Sequence, residues 1–400
     1  MSTSLSLLVG AVAAPFVAWW GTWTALAASA ARGGRREPSA TRASRFDVVV
    51  PAHDEAATVA ALVASLQAQD EPTLLGRVLV VADHCADETA EVARASGADV
   101  LVRDTGDAGK PPALRDGIAL LRAEGTTSDA VVLLDADCTC GPGFLRAMAD
   151  RLGPDDEVVQ AAYTLDEPDT GAVRNGLRLG FSLRNVVRPR GADALGLPVV
   201  LFGSGMLFRW SALEHLSFGD PRLAGTGDTR PVADDVLMAL DLVAAGVHPR
   251  FAELASVVAP TPDDDHALGA QRLRWEGGQA LMWRHLPHTA RALVGRRDWR
   301  GLVALVDWSA PPMAPSVLVV GVAGAVGAVG VATGVLTPVA LVVPAIAGGL
   351  FVAYLGLAVG HLEGRGGVVR LATSAPRFLV WKAGLYARHR TARRAGAGGS

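Results

Sequence analysis

Val131-Val132-Leu133-Leu134 runs straight into Asp135-Ala136-Asp137. Carboxylates at i and i+2, just past an apolar strand, can both lean toward a hard divalent cation that is also held by phosphate oxygens. The same pattern describes a strand that leaves the core through polar residues. Other acids fall at comparable places. Asp54 and Glu55 follow Phe46–Val50 and the turn Pro51-Ala52-His53. They suit helix capping, and equally recognition of a base or ribose. Asp83 closes the run Arg77–Ala82, where an acid of a nucleotide-binding sheet bonds ribose hydroxyls or a base N–H. Gly109-Lys110 suggests a neighbouring phosphate, without the spacing of a P-loop.

Later in the chain, Gly203-Ser204-Gly205 lies beside a strand pattern. It reads as a loop of close backbone approach that suits an acceptor pocket, or as a strand bulge. Asp234-Asp235 opens a helical pattern. Such a pair caps a helix, or supplies a carboxylate whose pKa is raised by nearby negative groups so that it takes a proton. Gln271, Arg274 and Trp275 share one helix face at i, i+3 and i+4, where arginine can pair with a diphosphate and tryptophan can stack on a sugar, or they belong to a plain amphipathic helix under the membrane. Cys138-Thr139-Cys140 has no partner group at zinc-ligand spacing and reads as structural. With Cys85 the chain has three cysteines, no disulfide framework, and the composition of a reducing compartment.

The elements that must hold these residues alternate. Phe46–Val50, Arg77–Ala82, Asp99–Arg103 and Val131–Leu134 are strand patterns, with turns and helical periodicity between them. That alternation implies a mostly parallel, doubly wound α/β sheet. Ligands of such sheets bind outside the carboxyl ends of the strands.

Half of the 400 residues are hydrophobic and the net charge is −3. The first value predicts membrane segments, and the second argues against a nucleic-acid partner. Residues 1–31 carry no charge, and arginines 32, 35, 36, 42 and 45 follow. This predicts an N-terminal transmembrane helix over 1–31, not a cleaved leader, then a basic linker over 32–45. The uncharged stretch after Asp307 ends at Gly360. It predicts two more spans near 313–335 and 338–360, within a 301–362 membrane segment. The basic tail, 363–400, reads as an interfacial amphipathic helix around Phe378–Arg388 with a disordered end over 391–400. The positive-inside rule puts the linker, the 46–300 domain and the tail on the cytoplasmic side of the plasma membrane.

In this order the set resembles the family-2 glycosyltransferases with a GT-A fold, in the membrane-anchored branch of the cellulose, hyaluronan and chitin synthases. The family's Pro-x-x-Asn-Glu turn is matched by Pro51-Ala52-His53-Asp54-Glu55, with Asp for Asn. Its nucleoside acid is matched by Asp83, and its Gly-Lys by Gly109-Lys110. Its Asp-x-Asp is matched by Asp135-Ala136-Asp137, and its Gly-Ser-Gly by Gly203-Ser204-Gly205. Its Glu-Asp pair is matched by Asp234-Asp235, and its Gln-x-x-Arg-Trp by Gln271–Trp275.

The resemblance implies transfer of a sugar from a nucleotide-diphosphate sugar, with UDP as the expected nucleotide, to a hydroxyl of a lipid-linked or saccharide acceptor beside membrane lipids. It implies that Pro51, Ala52, Asp54, Glu55, Asp83, Lys110 and Asp135 hold the donor. Asp137, with Asp135, would bind Mg2+ or Mn2+, and Asp235 would be the base of an inverting attack. Gly203, Ser204, Gly205, Asp234, Gln271, Arg274 and Trp275 would serve the acceptor and diphosphate. Two rivals remain: a sugar-1-phosphate nucleotidyltransferase, which wants a Gly-rich basic loop that Pro51–Glu55 lacks, and an inactive nucleotide-sugar-binding scaffold.

Overall fold

A computed structural model describes residues 2–33, 44–166, 171–216, 234–261 and 282–397. The chain divides into two compact units. One comprises 34–166 and 196–305 and contains the sheet. The other comprises 1–33, 167–195 and 306–400 and contains the long apolar helices.

The sheet unit begins with β1 (Phe46–Ala52), α2 (Val59–Gln67), β2 (Leu75–Asp83), α3 (Thr89–Ala95), β3 (Asp99–Arg103), α4 (Lys110–Ala123) and β4 (Ala130–Leu133). The valine- and leucine-rich runs of β1 and β4 are buried on both faces, as helices covering a parallel sheet require. Strands β3, β2, β1 and β4 lie side by side and parallel, as the alternation predicts. Beyond β4 the pattern changes. The remaining strands are β5 (Thr139–Cys140), β6 (Val158–Leu165), β7 (Met206–Arg209) and β8 (Arg250–Ala259). They extend the sheet in the order β7, β6, β8, β5. Strand β7 runs antiparallel to both β4 and β6, whereas β6 and β8 are parallel. The sheet is therefore mixed.

Two turns at the carboxyl edge are left-handed at residues other than glycine: Asp54 has φ 56° and His84 has φ 53°. Asp, Asn and His tolerate that region better than other L-residues do. Helix α4 starts at Lys110 behind Gly109, whose φ of 124° and ψ of 168° favour glycine. Pro111 and Pro112 follow in the first turn, where the missing N–H groups cost no helix bond. Helix α5 (Phe144–Arg151) follows β5, and α8 (Asp234–Ala245) precedes β8.

The second unit holds α1 (Ser2–Arg32), α6 (Ala172–Ser182), a π-turn over Leu183–Val187, α7 (Arg188–Ala194), α9 (Met313–Ala332) and α10 (Val339–Ala397). Three helical segments are long and apolar enough to cross a membrane: Thr3–Arg32, Met313–Ala332 and Val339–Glu363. They match the three expected spans closely. Trp20, Trp23 and Tyr354 pack in the core of this unit with Leu179, Leu183 and Val187. Gly191 admits the backbone of α1, because a Cβ there would lie 2.0 Å from the Leu26 carbonyl oxygen. Helix α10 runs unbroken to Ala397. The tail is thus a continuation of the last span, and the expected disorder over 391–397 is replaced by helix.

Candidate active site

A cleft of about 390 Å³ opens at the carboxyl ends of β1, β2 and β4. Pro51 and Ala52, Glu55, Asp83, Lys110, Asp135 and Asp137 all line it. The seven residues expected at the donor and metal sites that line it, some read from the sequence and some implied by the family resemblance, therefore share one wall-to-wall space. His53, Ala108, Gly109, Ala113 and Ala136 complete it.

Lys110 stands at the centre. Its ammonium donates to Asp135 Oδ1 and, at 2.8 Å, to the Gly203 carbonyl oxygen. Burial works against its charge, but Asp135 first, then Asp235, more than offset this and hold the pKa above the usual lysine value. Asp137 shifts the other way for a carboxylate. Burial, then the charge of Asp135, with Glu55 adding, raise its pKa above the usual aspartate value, against smaller pulls from the Cys138 thiol and Lys110. The ligand atoms of Asp135, Asp137 and Cys138 lie within 4.8 Å of one another. Burial, then Asp135 and Asp137, push the Cys138 thiol far up. It therefore stays protonated and donates to Asp137 Oδ1 at 3.4 Å, in keeping with a structural role. A partly buried carboxylate pressed by its neighbours is the arrangement that a hard divalent cation relieves, so these residues fit one.

Asp235, a hundred residues beyond Asp135, comes to the same corner. A Cβ built on Gly203 would lie 3.5 Å from Asp235 Oδ2 and 3.5 Å from Lys110 Nζ. Gly203 has φ 87°, so glycine is needed there for conformation as well as for space. Asp234 opens α8.

Other expected contacts are placed differently. Asp54 does not line the cleft. Its Oδ1 accepts the Ala86 N–H at 2.7 Å, which braces the two left-handed turns together. Only an acceptor is used, so the Asp-for-Asn departure leaves this bond unchanged. Ser204 is fully buried. Its hydroxyl accepts the Asp135 N–H at 3.0 Å and donates to the Cys138 sulfur at 3.6 Å. Gly205 packs on Ala161 and Val257, where a Cβ would sit 2.9 Å from each. Ser204 and Gly205 thus support the acid pair from behind, and of the Gly-Ser-Gly loop only Gly203 reaches Lys110. Gln271, Arg274 and Trp275 lie outside the described residues.

Two supporting residues carried no signal in the sequence. Buried Gln160 accepts the Phe202 N–H at 3.0 Å and donates to the Ser204 carbonyl at 2.9 Å, which fixes the loop. Arg103, read only as the end of a strand, pairs with Asp83 and, at 2.7 Å, with Asp116.

Residues 43–278 match the family model described as "Glycosyltransferase like family 2". The chain belongs to this glycosyltransferase family. The structure of a mannosyltransferase from Pyrobaculum calidifontis, in complex with GDP-Man and Mn2+, is similar over 89% of this chain and 99% of that one, with TM-score 0.50 and 18% identity. The likeness establishes the GT-A fold. Glucosyl-3-phosphoglycerate synthase from Mycobacterium tuberculosis, in complex with Mn2+, UDP and phosphoglyceric acid, aligns over 60% of this glycosyltransferase and 78% of its own chain, with TM-score 0.40 and 20% identity. No curated protein matches the sequence.

Proposed function

We propose that this glycosyltransferase moves a sugar from a nucleotide-diphosphate sugar to a hydroxyl of a lipid-linked or saccharide acceptor, with inversion, at the cytoplasmic face of the plasma membrane. The supporting observation is the convergence on Lys110. Its ammonium contacts the donor-side acid Asp135 and the carbonyl of Gly203, and Asp235 lies beside Gly203.

In this reading Pro51, Ala52, Glu55 and Asp83 wall the nucleoside end of the cleft. Lys110 turns its charge toward the diphosphate. Asp137, with Asp135, would hold a Mg2+ or Mn2+ ion, which supplies charge neutralisation at the leaving diphosphate. Asp235 takes the acceptor hydroxyl proton at a carboxylate oxygen as the acceptor oxygen bonds to the anomeric carbon and that carbon's bond to the diphosphate oxygen breaks, and Gly203 lets that acid stand close to Lys110. Gln271, Arg274 and Trp275 are assigned to the diphosphate and acceptor through the synthase-like branch, which the three candidate spans support as a membrane enzyme. The spans also favour membrane lipids as neighbours and an acceptor delivered at the bilayer surface.

UDP is the nucleotide expected from the synthase branch, while the similar mannosyltransferase was solved with GDP-Man. Membranes containing the full chain, supplied with Mn2+ and a panel of UDP- and GDP-sugars, decide the matter. Release of nucleotide from one sugar, abolished by EDTA, is the expected result. No release from any donor would overturn the transfer reading in favour of a binding scaffold.

A further inference from the structure

Arg103 ends β3, and its side chain is 6% exposed. A buried guanidinium is costly unless its donors are all engaged, and here they point three ways. Nη1 meets Asp83 Oδ1, Nε meets Asp116 Oδ2 at 2.7 Å, and Nη2 donates to the Asp107 carbonyl at 3.2 Å. The other oxygen of Asp83 accepts the Gly109 N–H at 2.6 Å. Gly109 carries the unusual φ of 124° and immediately precedes Lys110. A series of contacts therefore runs from Asp116 through Arg103 and Asp83 to the Gly109 N–H, and the backbone carries it one residue on to Lys110, whose ammonium lies between Asp135 and Gly203. Only a planar fork can serve the end of β2, the loop after β3 and the flank of α4 at once, and a lysine cannot.

We propose that Arg103 is a positioning residue for donor binding. Acting through Asp83, it fixes the Gly109 peptide and hence where the Lys110 ammonium stands. This rests on the transfer reading, in which Lys110 meets the diphosphate. It also gives Asp83 a second task, since much of its accepting capacity is turned inward to Arg103 and Gly109.

The test is a double-mutant cycle on the full chain in lipid nanodiscs, with UDP and GDP as probes in the presence of Mn2+. Arg103→Lys and Lys110→Met are each expected to weaken nucleotide binding about tenfold, and the double variant to bind within about twofold of Lys110→Met alone, because the two act in series. Losses that multiply to about a hundredfold would overturn the inference, since Arg103 would then act independently of Lys110. Asp116→Asn guards against a folding artefact, because it removes the charge of one partner of Arg103 and leaves the Asp83 contact. It is expected to keep nucleotide affinity within about twofold, and a loss equal to that of Arg103→Lys would also overturn the inference. If the unsubstituted protein binds neither nucleotide, the transfer reading itself falls, and the inference with it.

Discussion

Asp137→Asn separates a metal-binding role from a structural one. The ligand atoms of Asp135 and Asp137 lie within 4.8 Å. At an effective dielectric constant near 20, two unit charges at that separation repel by about 3 kcal/mol. Lys110 on Asp135 returns part of this, and solvent at the cleft screens more. Neutralising Asp137 should then leave a net gain of about 1 kcal/mol, while the amide oxygen can still accept from Cys138. Without metal, the variant should melt about 2–4 °C above the parent. With Mn2+ and nucleotide at 100 times their dissociation constant, the parent should gain about 2.7 kcal/mol and the variant almost nothing. Tryptophan-fluorescence melting of the detergent-solubilised protein, with and without Mn2+ and nucleotide, reads both effects. A variant that is less stable without metal, or that keeps the ligand-induced shift, would refute the reasoning.

The raised pKa of Asp137 carries a pH signature. The folded protein holds that proton more tightly than the unfolded chain does, so this residue's contribution to stability is fully present below the ordinary aspartate value and is lost as pH rises through the raised pKa. Mn2+ competes with the same proton. Its affinity, followed by calorimetry, should therefore fall on acidification at a higher pH than an ordinary aspartate would dictate. Ser204→Ala strips the buried acceptor from the Asp135 N–H. It should cost about 1–3 kcal/mol in denaturant unfolding and weaken Mn2+-dependent nucleotide binding. Gly203→Ala adds a methyl 3.5 Å from both Lys110 and Asp235 at φ 87°. Backbone strain of about 1–3 kcal/mol should appear in the melting temperature, with transfer falling further than nucleotide affinity.

The parallel half of the sheet was legible because β1, β2 and β4 are apolar runs that lead into acids. Glu55, Asp83, Asp135 and Asp137 could be placed at one edge from chain order alone. Supporting contacts were not legible in the same way. Arg103 meets Asp83 across twenty residues and Gln160 meets Ser204 across forty-four, and neither pairing leaves a spacing to detect. Ser204 looked like an acceptor contact because a Gly-Ser-Gly loop says nothing about which way its hydroxyl points. The antiparallel insertion of β7 between β4 and β6 was equally hidden, since a four-residue strand has too short a period to reveal its direction. Residues 172–194 group with the apolar helices. Their arginines interrupt any long apolar run, so nothing in their hydropathy announced it.

Asp235→Asn tests the central claim most directly. The substitution leaves the Asp135–Asp137 pair and Lys110 in place and removes only the carboxylate beside Gly203. Nucleotide binding with Mn2+ and sugar transfer should be measured side by side on the same preparation, with the donor that the panel selects. Unchanged nucleotide affinity and loss of transfer are expected. Transfer at the parental rate would contradict Asp235 as the base, and with it the convergence on Lys110 as the catalytic arrangement.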